Sequence, residues 1–128
     1  MAKPTHEDAM IMLKLMEVGG DMGLNEAFSV IWSDGFPSDA KAFKERFPLG
    51  SRESTVVHGS LRWYETIGTL VRNGLFNEDL LYDWLSIASV WERLKPIALE
   101  MRQNSGQAAL WENFEYIAGR QAAWKPSR

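Results

Sequence analysis

The chain has 128 residues, of which 45% are hydrophobic and 24% charged, a balance typical of a globular protein with its own core. It contains no cysteine, which excludes disulfides, thiolate nucleophiles and cysteine-based metal sites. A net charge of −3 weighs against a nucleic-acid partner, because phosphate binding normally needs a basic surface.

The start of the sequence, MAKPTHEDAM, lacks the basic and apolar regions of a signal peptide. No apolar run approaches the roughly 20 residues that span a bilayer. We therefore expect a cytoplasmic protein without a membrane segment. A single helical domain is expected to cover residues 1–128, with residues 1–4 and 125–128 frayed.

The predicted elements are all helices, with boundaries that rest on capping residues, glycines and prolines. The first helix begins after Thr5, which can form a reciprocal cap with Asp8, and we expect Gly19 and Gly20 to end it. A second helix closes at Gly35. Its apolar face consists of Leu24, Ala27, Phe28, Ile31 and Trp32.

The middle of the chain contains the longest helical pattern. A short third helix is predicted between Ser38, as its N-cap, and Pro48. A central helix with a wide apolar face follows, over about 51–73. Gly74 suits the left-handed residue that ends this helix, and Asn77 is predicted to cap the next one.

The last part of the chain continues the helical pattern with interruptions. A break is expected near Ser86, and Pro96 either bends a helix or starts one. A polar connector precedes a last helix that is predicted to include Leu110 and Trp111. The sequence therefore predicts an all-α bundle of six or seven helices around the central one, with an aromatic-rich core.

Between Arg62 and Trp124 the sequence carries a set of elements beyond helix periodicity. They are Tyr64 and Glu65 before Ile67, Gly74 at the start of GLFNEDLLYDW, Trp91 with Arg93, Leu94 and Pro96, Arg102, and Phe114 with Glu115. This stretch resembles a bacterial family known as domain of unknown function 4760. The resemblance implies a helical domain with no assigned activity, substrate or cofactor. Some relatives carry a membrane-spanning segment ahead of the domain, whereas the first helix here is short and contains Lys14.

One face of the predicted central helix carries a polar stripe. Its members, at spacings of four, three, four and three residues, are His58, Arg62, Glu65, Thr69 and Arg72. The stripe is a candidate binding face. The alternative is that it forms the solvated side that any long amphipathic helix needs.

Sequence patterns for metal, nucleotide or nucleophilic chemistry are missing. His6 and His58 are the only histidines, and neither lies in a Glu-x-x-His or His-Glu-x-x-His pattern, so we expect no metal and no cofactor. The serines around His58 lie in no nucleophile-elbow motif. We therefore expect no catalytic residue and no enzyme activity.

The first helix offers a candidate interface at Met10, Met12 and Met16, because methionine adapts to partner surfaces and this helix is apolar on nearly every side. Burial within their own domain is the alternative for these residues. The favoured hypothesis is a non-catalytic protein–protein interaction module that self-associates as a homo-oligomer.

Two other functions stay open from the sequence. The first is a nucleic-acid-associated protein resembling a helix-turn-helix, with Arg62 and Arg72 near phosphate. The second is a small-ligand binder or an enzyme with a pocket in the matched half of the chain. The residues expected around that pocket are Tyr64, Glu65, Trp91 and Glu115.

Overall fold

The computed structural model describes residues 2–126, and this range contains seven α-helices joined by short loops. Their bounds are α1 His6–Asp21, α2 Leu24–Ile31, α3 Ala40–Arg46, α4 Arg52–Arg72, α5 Glu78–Trp84, α6 Ile87–Ser105 and α7 Glu112–Ala123. The all-α prediction is confirmed. Of the ends that were predicted to fray, residues 1, 127 and 128 lie outside the described range.

Helix α4 is the predicted central helix. Ser51 caps its start by accepting a hydrogen bond from the Ser54 backbone amide at 3.2 Å, and Asn73 is its C-cap. Ten of its residues are buried, because it packs against α2 and α7 and also contacts α6. Gly74 follows in the left-handed conformation, with φ 71°, as the sequence predicted.

Aromatic rings join α4, α6 and α7 at the centre of the core. Tyr64 stacks on Phe114 with 4.7 Å between ring centroids, and Trp91 meets Phe114 edge-on at 4.9 Å. Trp63 lies edge-on to Tyr64 at 5.1 Å. Burial raises the pKa of Tyr64, so its hydroxyl stays protonated. The predicted aromatic-rich core is confirmed.

The prediction that Gly19 and Gly20 end the first helix is wrong, since α1 continues to Asp21. Gly19 instead allows close packing. A Cβ atom there would lie 3.0 Å from Leu24 Cδ2 and 3.1 Å from Trp63 Nε1. Trp63 Nε1 donates a hydrogen bond of 2.9 Å to the carbonyl oxygen of Leu15, which fixes α1 on α4.

Two predicted helix starts are wrong as well. Asp39, rather than Ser38, caps α3, because its carboxylate accepts from the Ala42 amide at 2.7 Å. The last helix begins at Glu112 rather than before Leu110, because Trp111 adopts φ 63° and interrupts the helical conformation.

Pro96 lies well inside α6, so the alternative that it starts a helix is wrong. The predicted break near Ser86 is confirmed, although the Ser86 side chain does not cap α6. Gln121 of α7 takes that role. Its Oε1 accepts from the backbone amides of Ile87 at 2.6 Å and Ala88 at 2.8 Å, while its Nε2 donates to the Leu85 carbonyl oxygen at 2.6 Å.

Candidate functional sites

The predicted polar stripe lies on one face of α4, but much of it contacts α7. Arg72 donates to Asn113 Oδ1 at 3.3 Å and its guanidinium lies 4.6 Å from the ring centroid of Tyr116. Thr69 Oγ1 accepts from Asn113 Nδ2 at 3.1 Å. Arg62 is exposed. The end of the stripe near Arg72 is therefore part of a helix–helix contact.

Glu65 caps α7 from a position 48 residues earlier in the chain. Its Oε1 accepts from the backbone amides of Asn113 at 3.0 Å and Phe114 at 2.9 Å, and its Oε2 accepts from Asn113 Nδ2 at 2.7 Å. Trp111, the N-cap residue itself, makes no side-chain capping bond. A carboxylate at the positive end of the α7 dipole is stabilising, so the geometry gives Glu65 a structural role.

Of the residues expected around a pocket, Glu65 borders an open cavity beside Leu110 and Trp111. All four of the expected residues also form contacts between helices. Tyr64 and Trp91 are buried in the core. Glu115 accepts from the Arg102 guanidinium at 2.8 Å, and Arg102 Nε also donates to the Leu110 carbonyl oxygen at 2.5 Å. Arg102 thereby ties the end of α6 to α7 and to the loop between them.

A cavity that sequence reasoning missed lies between α3, the start of α4 and the second half of α6. Its volume is about 590 Å³. Its surface is mostly apolar, and it shares only His58 with the predicted stripe. The apolar side chains of its wall include Phe43, Phe47, Leu49, Ile97, Met101 and Leu110.

Polar residues also line this cavity, although they contribute little of its surface: Lys44, Ser54, His58, Glu100, Asn104 and Ser105. His58 Nδ1 lies 2.7 Å from the Ser54 carbonyl oxygen, one turn earlier in α4, and the ring meets Phe43 edge-on. Lys44 of α3 forms a salt bridge with Glu100 of α6, and both line the cavity. Asn104 Nδ2 donates to the same Glu100 carboxylate at 3.3 Å.

The outer face of α1 is the second candidate site. Met10, Leu13 and Met16 are 67%, 54% and 51% exposed and follow one another at intervals of three residues. Met12 points the other way and packs against the core. Of the predicted interface residues, Met10 and Met16 thus share an exposed face, to which the structure adds Leu13.

An ion pair fastens α7 to the start of α5. Arg120 donates to both carboxylate oxygens of Glu78 at 2.9 and 2.8 Å, and the Tyr82 hydroxyl donates to Glu78 Oε2 at 2.8 Å. These bonds, that from Arg120 above all, lower the pKa of the Glu78 carboxyl. Burial raises the pKa of Tyr82.

Acidification is expected to weaken this ion pair. Because the pKa of Glu78 is lowered by folding, its contribution to stability is present above the ordinary glutamate pKa and is lost as pH falls through the lowered value. Glu78→Gln should therefore lose less stability than wild type between neutral pH and about pH 3, by roughly 0.5 kcal/mol after solvent screening. Urea titrations at several pH values in this range measure the free energy of unfolding of both proteins. An equal change of this free energy with pH in the two proteins would contradict the prediction. Glu17→Gln, in the exposed pair with Lys14, is the control and should follow wild type.

Within residues 2–126, no group of three or more His, Cys, Asp or Glu side chains is placed to hold a metal ion. Among the helices of the same range, none is long and apolar enough to cross a membrane.

The helices and their contacts define an all-α bundle domain. The sequence model of a family described as a domain of unknown function (DUF4760) matches residues 24–121. The chain belongs to this family. The match extends further toward the N-terminus than the resemblance over Arg62 to Trp124, and it leaves α1 outside. No curated protein and no solved structure matches the chain.

Proposed function

We propose that this chain is a non-catalytic interaction module that self-associates through the outer face of α1. The observation that carries the proposal is the exposed apolar stripe formed by Met10, Leu13 and Met16. Large apolar side chains that stand next to one another on a helix gain stability when a second surface removes them from water. A cytoplasmic, bacterial setting is part of the same proposal and is consistent with a chain that lacks cysteine.

The spacing of the stripe favours a second copy of the chain as the partner. Met10 and Met16 each lie three residues from Leu13, so the stripe is symmetric about its middle. Two such helices packed antiparallel, with a two-fold axis at Leu13, would bring each methionine against the opposite methionine of the other copy. A two-fold contact of this kind is the commonest way in which identical chains associate.

The charges beside the stripe support the same partner. Lys14 and Glu17 form an exposed ion pair with 3.5 Å between Nζ and Oε1. Because the two charges have opposite sign, this border gives no advantage to a strongly acidic or basic partner.

Helix α1 is held firmly enough to present the stripe. Asn77 at the start of α5 donates its backbone amide to Asp8 Oδ1 at 3.1 Å, and Thr5 forms a reciprocal cap with Asp8. Three side chains fall well short of the roughly 800 Å² per partner that a standard interface buries. We therefore expect weak, reversible dimers in the micromolar range.

Replacing Leu13 by glutamate should abolish this association, because it places a charge at the two-fold axis of the proposed contact. Sedimentation equilibrium from about 5 to 500 µM measures the effect. Wild type should show a mass that rises with concentration toward that of a dimer, and Leu13→Glu should stay monomeric.

Leu75→Glu is the matched control, since Leu75 is a similarly exposed leucine, at 59%, in the turn between α4 and α5. This variant should associate like wild type. A wild-type mass that stays monomeric throughout, or equal loss of association in both variants, would refute self-association through α1.

The alternative of a protein resembling a helix-turn-helix gains no support from the geometry after Gly74. Helix α5 has seven residues and begins with Glu78 and Asp79, so its first turn presents negative charge where a recognition helix approaches DNA.

A further inference from the structure

We propose that the cavity between α3, α4 and α6 binds an uncharged, largely apolar small molecule that carries one hydrogen-bond donor. No α1 residue lines this cavity, so the site is separate from the proposed self-association face. Its volume of about 590 Å³ lies within the range of roughly 300–1,000 Å³ that small-molecule sites occupy.

The walls fix the apolar character of the ligand. Phe43 and Phe47 of the α3 region lie 5.4 Å apart, centroid to centroid, and contribute aromatic surface. Ile97 and Met101 contribute aliphatic surface from α6. A ring system placed here can make offset or edge contacts with the phenylalanines and displace water from apolar walls.

His58 provides the polar recognition element. His58 Nδ1 lies 2.7 Å from the Ser54 carbonyl oxygen, which can only accept, and 3.3 Å from Ser54 Oγ. The shorter contact favours the tautomer with the proton on Nδ1. In the neutral ring, Nε2 then carries a lone pair on the edge away from Ser54. Nε2 is then the nitrogen left to accept a hydrogen bond from a ligand hydroxyl or N–H group in the cavity that His58 lines.

The cavity offers no unbalanced charge to an ionic ligand. Lys44 is already paired with Glu100, so the ammonium charge is offset by a carboxylate on the opposite wall. A ligand carboxylate or sulfonate would meet both signs together and would lose its hydration on the apolar walls. An uncharged ligand avoids this desolvation penalty.

Fluorescence titration with N-phenyl-1-naphthylamine tests the site, because this probe is uncharged, aromatic and has one N–H donor. We expect saturable binding at one probe per chain, with blue-shifted emission from the apolar surroundings. The sulfonated analogue, 1-anilinonaphthalene-8-sulfonate, should bind at least about ten-fold more weakly. Equal or tighter binding of the anionic analogue would overturn the proposed ligand class.

Two tryptophan substitutions in α6 locate the probe. Met101→Trp fills the cavity and should weaken probe binding by at least about ten-fold. Leu99→Trp lies on an exposed position of the same helix, at 39% exposure, and should leave binding unchanged. Binding that survives Met101→Trp but disappears in Leu13→Glu would place the probe on α1 and refute the cavity site.

His58→Phe tests the hydrogen bond without depending on whether the tryptophan variant folds. It keeps an aromatic ring against Phe43 and removes the acceptor nitrogen. Loss of one hydrogen bond should weaken N-phenyl-1-naphthylamine about five-fold. Affinity for 1-phenylnaphthalene, which has a similar shape and no donor, should not fall, as measured by its displacement of the fluorescent probe. Equal weakening of both compounds would refute the role of His58.

Discussion

Gly68→Ala is expected to lower the free energy of unfolding by roughly 2 to 4 kcal/mol, a large effect for one added methyl group. Gly68 lies on the face of α4 that contacts the start of α7. A Cβ atom there would lie 2.5 Å from the carbonyl carbon of Asn113 and closer still to its oxygen. Because the obstacle is backbone, α7 must move away from α4 to make room.

Gly119→Ala is the matched control for this prediction. Gly119 lies in the middle of α7, and a Cβ atom there would meet nothing within 4 Å. Alanine should therefore stabilise the helix, by about 0.5 to 1 kcal/mol. Urea unfolding followed by circular dichroism measures both variants. If Gly68→Ala were as stable as Gly119→Ala, the close approach of α4 and α7 would be contradicted.

Gly68 and Gly19 show why the sequence predicted the helices more accurately than the contacts between them. Helix periodicity and local caps such as Thr5 and Asn77 depend on residues within one turn, and both caps are confirmed. A glycine in a helical pattern has no such local meaning. Gly19 suggested a helix end, but it serves a contact with Trp63 that no local signal reports.

For the candidate sites too, the sequence predicted positions on a helix but not the contacts between helices. The spacing placed the polar stripe on one face of α4, but it could not show which α7 residues lie against Glu65. Which positions of α1 are buried depends on where the core lies. Because α1 is apolar on nearly every side, the sequence could not show that Met12 is packed against the core while Met10 is exposed. The cavity forms where α6 packs against the earlier pair α3 and α4, a contact between distant parts of the sequence that periodicity cannot predict.

Glu65 supplies the charged acceptor at the start of α7. Glu65→Ala should lower the free energy of unfolding by about 3 kcal/mol, because it leaves the amides of Asn113 and Phe114 without their charged acceptor. Glu65→Gln should cost less, since its amide oxygen can still accept while the charge at the helix end is lost. Glu92→Ala, at an exposed position of α6, is the control and should change stability by less than about 0.5 kcal/mol.

Hydrogen exchange separates capping from a general loss of packing. If Glu65 acts as the cap, the amides of Asn113 and Phe114 should lose protection in Glu65→Ala by more than the global destabilisation explains. Trp111 makes this outcome informative. Its φ is 63°, and its buried indole N–H has no hydrogen-bond partner among the described residues. Both features are unfavourable, and the first turn of α7 must hold them in place. Uniform protection losses across α4 and α7 would instead mean that Glu65 stabilises the domain only through packing.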